Sequence, residues 1–551
     1  MDSRFPVETI AAAEQLLGVR FTAAERVLMA DNLAAQIDLA VRRRAVVLPR
    51  ELPPATVFDP RLPGWKAPAG GSFRPSLAPA TPLPANDEDI AFASVASLGA
   101  WLRSGALTSA RLTEIYLARI ARLGPHLECI ALATPELARE QAKRADALFA
   151  SGKDLGPLHG IPWGCKDLFD TAGIATAWGA EPFRDRVPAE NAVVVERLAA
   201  AGAVMVAKTA VGALAYGDIW HGGVSRNPWN VAEGSSGSSA GSAAGVVAGL
   251  FAFALGTETL GSIVSPALRT GATGLRPTFG RVARTGAMPL CWSLDKIGVL
   301  ARTVEDTALV LSAINGADLG DPSSIDMPFA YDGAAGIKGL RVGYYPADFE
   351  GADAIDLDRN ALASVRALGL APVPLEHSAL PYDALMNTIF AEAAAAFEDL
   401  TLTDRDDELG WQEAGAWPNT FRKARFLSAV DHVQLDRLRR QVMQEMEAAF
   451  REVDVVIGPA VAGPMLVITN FTGHPCLALR SAFRQSKTRG VLSLARARVE
   501  EGSTAGGGLH TVPHGVAIWG RLFDEGTVLR VGRALERSWD VWGRRPPMPP
   551  E

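Results

Sequence analysis

A serine- and glycine-rich stretch runs directly into an apolar segment near the middle of this chain. Residues 234–249 read GSSGSSAGSAAGVVAG, and the chain continues as LFAFALG before a second glycine-flanked serine, Ser262. A flexible linker has no reason to continue into an unbroken apolar run, so the pattern predicts a buried helix followed by a buried strand. Glycine lets the backbone approach a ligand closely and serine supplies hydroxyl groups, which together indicate a turn that can carry chemistry.

A lysine stands at the end of a second apolar segment, in the sequence GIPWGCKD. This segment predicts a loop that leads into a short buried strand ending near Lys166. An unpaired ammonium group is costly to bury, and desolvation lowers the pKa of a lysine by several units. Lys166 is therefore a candidate base. A salt bridge to Asp167 or Asp170 is the ordinary alternative for this segment considered alone.

Several separated motifs, in one order, make the chain resemble the amidase signature family over about residues 88 to 540. The resemblance implies an α/β fold in which a mixed central β-sheet is covered by helices on both faces. The motifs are GIPWGCKD at residues 160–167, RNPWN at 226–230, SGSSAGSAAG at 236–245, GTETLGSI at 256–263, GLRPTFGRV at 274–282, SLDKIGVLARTVED at 293–306, NFTGHP at 470–475 and PHGVAIWG at 513–520.

The resemblance implies a catalytic triad of a lysine, a bridging serine after a cis peptide bond, and a nucleophilic serine. By position these are Lys166, Ser238 and Ser262. Lys166 would act as the base, Ser238 would relay the proton, and Ser262 would attack the carbonyl to form an acyl-enzyme. The implied reaction is hydrolysis of a carboxylic amide, with esters or carbamates open to the same route, and no metal or organic cofactor. The implied oxyanion hole uses the main-chain N–H groups of Thr259, Leu260, Gly261 and Ser262.

Three positions depart from the usual pattern of that family. Ala240 replaces the glycine after the serine pair, and Leu260 replaces the first of two glycines before the nucleophile. Neither change removes a catalytic atom, because a side chain at residue 260 leaves its N–H group in place. Val264 stands where arginine is frequent. Leu260 and Val264 therefore predict a changed, more apolar pocket.

Other functions remain open from the sequence. The residues around Ser239 also spell G-x-S-x-G, the nucleophile elbow of α/β-hydrolase esterases, for which His474, His510 or His514 could complete a triad. That elbow must follow a strand, and the preceding segment with its N-P pair reads as a loop. A glutamine-hydrolysing amidotransferase subunit shares the fold and triad, although an N-terminal extension and aromatic residues suit a small polar substrate poorly. A non-catalytic scaffold of the same fold is a further alternative.

Large side chains near the motifs are candidates for the substrate pocket. An apolar pocket with few polar groups favours aryl or medium-chain amides over acetamide, malonamate or glutamine. About half of these tryptophans would be ordinary core residues. The candidates are Trp163, Trp178, Tyr216, Trp220, Ser239 and Trp292.

Length and composition fit one large enzyme with extra segments at its ends. We expect a helical extension at residues 1–47, a proline-rich strap at 48–87, a catalytic domain at 88–543 and a proline-rich tail at 544–551. A net charge of −7 with dispersed basic residues predicts no nucleic-acid partner. Four cysteines without metal-ligand spacing, no signal peptide and no apolar run long enough for a spanning helix predict a cytoplasmic protein away from the membrane. A small-molecule amide is the expected partner, and a homodimer stays open.

Overall fold

An eleven-stranded mixed sheet forms the centre of the molecule. The computed structural model describes residues 6–76, 81–351, 354–459, 463–489 and 508–548. In chain order, the strands of the central sheet are β2 (Ile130–Ala133), β3 (Pro162–Lys166), β4 (Val204–Thr209), β9 (Phe253–Glu258), β10 (Thr273–Arg276), β11 (Lys296–Ala301), β13 (Val342–Tyr344), β14 (Pro372–Pro374), β15 (Val455–Gly458), β16 (Cys476–Ser486) and β17 (His510–Gly520). Their spatial order is β14-β13-β15-β17-β16-β10-β11-β9-β3-β4-β2.

The sheet mixes parallel and antiparallel pairs. Strand β3 runs parallel to both of its neighbours, β4 and β9, whereas β9 is antiparallel to β11. Parallel neighbours need a crossover connection, which usually includes a helix, and α8 (Ala240–Val247) supplies one between the serine turn and β9. This arrangement confirms the predicted α/β fold. The shorter strands outside the central sheet are β1 (Phe73–Arg74), β5 (Ile219–Trp220), β6 (Gly223–Val224), β7 (Arg226–Asn227), β8 (Asn230–Gly234) and β12 (Tyr331–Asp332).

Helices pack against the central sheet. The first two belong to the N-terminal extension, and α13 to α16 lie between the signature motifs and the final motifs. The helices are α1 (Val7–Leu17), α2 (Ala23–Arg44), α3 (Asp87–Ala91), α4 (Val95–Arg103), α5 (Ser109–Leu127), α6 (Pro135–Ala150), α7 (Val193–Ala200), α8 (Ala240–Val247), α9 (Val264–Thr270), α10 (Val304–Ile314), α11 (Pro346–Glu350), α12 (Asp356–Ala367), α13 (Met386–Ala396), α14 (Glu398–Leu402), α15 (Trp417–Ala424), α16 (Ala429–Glu452), α17 (Met465–Thr472) and α18 (Glu525–Trp539).

The two apolar segments that the sequence singles out fold as predicted. The apolar run after the serine turn forms α8 and then β9, and both are almost entirely buried. The segment that ends at Lys166 forms β3, with every residue buried. Side chains alternate along a strand, so Lys166 and Gly164 point to one face of β3 while Trp163 and Cys165 point to the other.

One local prediction is wrong. The sequence before the serine turn reads as a loop, but residues of this segment form β8, which pairs antiparallel with β7. This two-stranded ribbon lies outside the central sheet. A nucleophile elbow projects its serine from a strand of the main sheet, so the ribbon does not supply the context that the Ser239 alternative requires.

The N-terminal extension contains two helices, α1 and α2. Thr22 caps α2 with a complete capping box, in which its hydroxyl accepts from the Glu25 N–H and its own N–H donates to the Glu25 carboxylate. The strap that follows packs against the later part of the chain, where the Phe58 ring lies 5.1 Å from that of Phe279. Strand β1 of the strap pairs with β12. The predicted tail is described as far as residue 548.

Candidate active site

Lys166 reaches from the end of β3 into a cluster of hydroxyl groups. Its Nζ atom lies 2.9 Å from Ser238 Oγ, 3.0 Å from Ser239 Oγ and 2.8 Å from Thr257 Oγ1. The side chains of Lys166, Ser238 and Ser239 are fully buried. No carboxylate of the described residues forms an ion pair with Lys166, so the ordinary salt-bridge alternative does not apply. The structure therefore brings two of the three predicted triad residues into direct contact.

The hydroxyl group of Ser239 is already fully engaged. It donates to the Thr257 carbonyl at 3.2 Å, and it accepts from the Thr257 N–H at 3.2 Å and from Lys166 Nζ. A serine hydroxyl has one proton and two lone pairs, so this arrangement uses all of them. Ser239 therefore holds Lys166 in place, whereas among the described residues the Ser238 hydroxyl hydrogen-bonds Lys166 alone.

The backbone around Ser238 has an unusual path. The Gly237–Ser238 peptide bond is cis, as the resemblance implies, and Ser236 has a φ of 62°. The Asp218 carboxylate accepts from the Ser236 N–H at 2.8 Å. A Cβ atom on Gly237 would lie 1.8 Å from the Gly217 carbonyl oxygen, so no other residue fits there. The close approach of these two glycines explains why the serine turn needs glycine at this position.

Ser262 lies in the turn between β9 and α9, which a buried carboxylate holds. Glu258 Oε2 accepts from the N–H groups of Ile263 and Val264, the two residues after the serine, at 2.8 and 2.9 Å. The two serine turns meet at the main chain, where the Ser239 N–H donates to the Ser262 carbonyl at 3.1 Å. Gly261 has a φ of 80°, which favours glycine.

Glu258 is itself held by an ion pair inside the protein. Its Oε1 atom accepts from Arg276 at 2.7 Å and from Asn470 at 2.9 Å. Both members of the Glu258–Arg276 pair are fully buried. Burial alone would raise the pKa of this carboxyl, but Arg276 and the two N–H groups of the turn lower it to about 2. Glu258 is therefore an ionised anchor for the turn that carries Ser262.

Four main-chain N–H groups of that turn have no acceptor among the described residues. Within the described segments, the N–H groups of Thr259, Leu260, Gly261 and Ser262 donate to no protein oxygen. The Ser262 side chain is 8% exposed and the Leu260 side chain is half-buried against the core. The turn thus has N–H groups without an acceptor among the described residues, and they lie beside the Ser262 hydroxyl in the chain.

Burial lowers the pKa of Lys166 well below its ordinary value of 10.5. Desolvation is the main cause, and the negative charges of Asp295 and Glu258 act in the opposite direction without overcoming it. A neutral lysine amine has a lone pair that can take a proton, so this lowering of the pKa favours the form of Lys166 that is able to act as a base.

A cavity of about 440 Å³ adjoins these turns. Thr257, which contacts Lys166, and Thr259 line this cavity, and Trp292, Met288 and Leu290 form part of an apolar wall. Its volume lies in the usual range for a site that holds a small molecule. Thr259 Oγ1 also donates to Asp295 at 2.6 Å, which ties the Ser262 turn to the cavity wall.

The predicted pocket residues divide into two groups. Trp292 lines the cavity, but Trp163 does not, because its ring lies on the face of β3 opposite Lys166 and stacks on Phe253 in the core. Trp220 is also a packing residue, and its indole donates to the Glu128 carbonyl. The structure therefore removes Trp163 and Trp220 from the pocket.

Trp178 and Tyr216 pack beside the site without lining the cavity. The Trp178 ring packs 4.6 Å from Phe183, and the Arg186 guanidinium lies 4.3 Å above it. Tyr216 stacks on Trp411 at 5.2 Å. Both aromatic clusters therefore lie outside the cavity lining and act as packing residues.

The histidines of the esterase alternative lie elsewhere. His474 hydrogen-bonds Thr472 at 2.7 Å, and His514 pairs with Asp358 of α12 at 2.7 Å. His510 lies at the start of β17. Among the described contacts of Ser239 there is no histidine, so the geometry does not support a Ser239 triad. Among all the residues that the structure describes, no group of three or more His, Cys, Asp or Glu side chains is arranged to hold a metal ion.

Sequence reasoning missed four residues that build the site. Thr257 and Glu258 lie within the GTETLGSI motif, and Asp295 lies within SLDKIGVLARTVED, so the motifs contained them without indicating their roles. Asp218 lies outside all of the motifs. A signal for the first three was present, since polar residues inside apolar motifs must find partners when buried.

Comparisons with known proteins agree with this architecture. A family model described as Amidase matches residues 111–529. A glutamyl-tRNA(Gln) amidotransferase subunit from Roseiflexus sp. (strain RS-1) is 36% identical over 482 residues, which cover 82% of this chain and 97% of that protein. The solved native peptide amidase of Stenotrophomonas maltophilia superposes with a TM-score of 0.68 at 28% identity, covering 83% of this chain and 98% of that one.

A bacterial aryl acylamidase of the amidase signature family has the same fold, with a TM-score of 0.69 at 21% identity and coverage of 83% of this chain and 99% of that one. No helix in the described segments has both the length and the apolar character needed to cross a membrane. The family match, the relatives and the shared fold together establish that this chain belongs to the amidase signature family.

Proposed function

We propose that this protein hydrolyses a carboxylic amide through an acyl-enzyme on Ser262. The observation that carries the proposal is the buried contact of 2.9 Å between Lys166 Nζ and Ser238 Oγ. A buried lysine without a carboxylate partner is costly to maintain, and such groups concentrate at catalytic sites. The peptide amidase of Stenotrophomonas maltophilia, with 28% identity, supports amide bonds as the target.

The proposed mechanism moves one proton along a short relay. The neutral Lys166 amine takes the proton of Ser238 as Ser238 takes the proton of Ser262, and Ser262 Oγ attacks the amide carbonyl carbon. The negative oxygen of the tetrahedral intermediate receives hydrogen bonds from the N–H groups of residues 259–262, each worth roughly 3 to 4 kcal/mol.

The C–N bond then breaks. Ser238 returns the proton to the departing nitrogen, which leaves as an amine or ammonia. A water molecule attacks the acyl-enzyme, gives its proton to the same relay and releases the carboxylic acid with Ser262 restored. Esters and carbamates fit this route, because the acyl-enzyme does not depend on the departing atom.

A second candidate is the glutamine-hydrolysing subunit of an amidotransferase. It is favoured by the 36% identity to the glutamyl-tRNA(Gln) amidotransferase subunit from Roseiflexus. Such a protein would use the same residues on glutamine and act with partner subunits. The two candidates differ in substrate, so a substrate panel separates them.

We expect aryl or medium-chain amides to be hydrolysed at least about tenfold better than acetamide, malonamate or glutamine, measured as kcat/KM. The apolar wall around Trp292 and Met288 has to supply only about 1.4 kcal/mol of extra transition-state binding for this difference. The panel uses purified protein and detects the released amine or ammonia. Equal or better turnover of glutamine would place the amidotransferase candidate first.

The pH dependence of kcat/KM tests the role of Lys166. The rate should rise with pH through an apparent pKa below 10.5, because burial lowers the pKa of this lysine and only the neutral amine accepts a proton. The profile is measured from about pH 5 to about pH 10. Lys166→Arg is the control, since a guanidinium stays protonated throughout and should be inactive at every pH. A wild-type profile that falls across this range would contradict Lys166 as the base.

A further inference from the structure

The N-terminal extension reaches the cavity next to the catalytic turns. Glu51 and Pro53 of the strap line the cavity together with Trp292 of the catalytic body. The Trp292 indole donates to the Arg50 carbonyl at 3.1 Å, which joins the strap to the cavity wall. These strap residues precede residue 111, where the family match begins, so this wall is an addition to the matched region.

Arg50 fixes the strap beside the cavity. Its guanidinium forms an ion pair with Asp399 of α14 and lies over three aromatic rings. The distances to the ring centroids are 5.2 Å for Phe183, 5.5 Å for Phe397 and 5.9 Å for Trp178. A guanidinium among aromatic faces is held by both charge and stacking, so this segment has a defined position.

A second anchor holds the strap beyond the cavity. The Arg439 guanidinium lies 3.3 Å from the centroid of the Phe58 ring, and Phe279 contacts the same ring. Arg43, before the cavity segment, pairs with Glu398 at 2.6 Å. Attachment on both sides of residues 50–53 makes this segment a fixed wall.

The charges that line the cavity are unbalanced. Carboxylates outnumber basic groups five to three in the lining. Each basic group is already engaged: Arg186 pairs with Asp170, Arg284 pairs with Asp321, and Lys296 donates to the Leu294 carbonyl.

Two of the carboxylates remain without a partner. Glu51 and Glu190 are exposed, and no described residue pairs with either of them. Among the described residues that line it, the cavity therefore carries free negative charge and offers no free positive charge to a substrate.

We propose that Glu51 and Pro53 of the strap are part of the substrate site, with Pro53 limiting the size of the substrate and Glu51 selecting cationic over anionic amides. This proposal rests on the proposed amide hydrolysis. The expected substrates are amides whose group remote from the scissile bond is neutral or cationic and fits beside Pro53.

Three amides that differ only in a remote group test the charge selection. The groups are trimethylammonium, tert-butyl, which has the same shape without charge, and carboxylate. Wild-type kcat/KM should fall from the cation to the neutral amide to the anion, by about fivefold at each step at low salt. In Glu51→Gln, kcat/KM for the cationic amide should be within about twofold of kcat/KM for the neutral amide. High salt should have the same effect on the wild type.

Pro53→Ala tests the size limit. The ratio of kcat/KM for an amide with a bulky remote group to kcat/KM for an amide with a small one should rise by about tenfold. The reason is that removing part of the proline ring opens space in the wall. Leu52→Ser is the matched control, since Leu52 lies between the two wall residues, is 57% exposed and does not line the cavity. Unchanged ratios in both Glu51→Gln and Pro53→Ala would overturn the proposal.

Binding to Ser262→Ala separates this proposal from the proposed function. Calorimetry on this variant measures the affinity for each of the three amides without turnover. The affinities should follow the same order as kcat/KM, with the cation highest and the anion lowest. If the ordering appears in binding but the wild type hydrolyses none of the amides, the proposed function fails and the strap wall stands. If the wild type hydrolyses them without any ordering, the strap proposal fails. If neither the charge ordering nor hydrolysis is observed, the strap proposal and the proposed function both fail.

Discussion

Ser262→Ala should lower kcat/KM on the best amide by at least about 10⁴-fold while leaving the fold intact. Removing a nucleophile takes away the covalent route, and only binding and oxyanion stabilisation remain. The Ser262 side chain is small and donates no hydrogen bond to any described residue, so its loss should not destabilise the protein. The measurement compares kcat/KM and the melting temperature with those of the wild type. Mass spectrometry with an acylating ester should detect an adduct on the wild type and none on Ser262→Ala.

Ser239→Ala is the matched control for this prediction. It removes one of the hydroxyl groups that position the neutral Lys166 amine, and a hydrogen bond between neutral groups is worth about 0.5 to 1.5 kcal/mol, or roughly 2- to 13-fold in rate. The adduct on Ser262 should still form in this variant. A dead Ser239→Ala together with an active Ser262→Ala would reverse the assignment and restore the esterase alternative.

Glu258→Ala should destabilise the fold by about 3 to 5 kcal/mol and also reduce turnover. The change leaves Arg276 as a buried cation without its partner, which is a costly state. It also removes the acceptor for the N–H groups of Ile263 and Val264, so the turn that carries Ser262 loses its anchor. The measurements are urea unfolding and kcat under conditions in which the variant is folded.

The control for Glu258 is Glu258→Gln, which keeps one carbonyl oxygen and the side-chain shape. It should fall between wild type and Glu258→Ala in both stability and kcat.

The low pKa of Glu258, about 2 against an ordinary 4.5, gives a second check. Its contribution to stability is complete above about pH 4.5 and is lost as the pH falls toward 2, so the wild type should lose its advantage over Glu258→Gln in acid. Equal unfolding midpoints at neutral pH would contradict the role of the buried pair.

The sequence predicted the elements that carry the site more reliably than it predicted the pocket. The serine-rich turn, α8, β9 and β3 follow from apolar runs of the right length, because burial on all sides leaves a strong local signal. Strand β8 was missed because its composition favours a loop. Its pairing with β7 stabilises the extended conformation, which local β propensity alone does not favour.

The pocket depends on contacts between distant parts of the chain. Trp163 stands three residues before Lys166, and an odd interval on a strand points two side chains to opposite faces, which sequence proximity alone hides. The position of the strap could not be predicted, because a proline-rich segment has no apolar period. Its place is fixed by partners such as Trp292, 242 residues after Arg50.

The buried Glu258–Arg276 pair also has a consequence for the order of synthesis. Glu258 binds Asn470, 212 residues later, and Arg276 binds Thr469 and the His474 carbonyl, 193 and 198 residues later. A growing chain on the ribosome contains every proposed triad residue once it has passed Ser262, but it lacks the groups that complete this buried network until about two hundred residues more have emerged. The catalytic turn is therefore completed late, and an unfinished chain that ends before α17 carries the proposed triad without the support that holds its nucleophile.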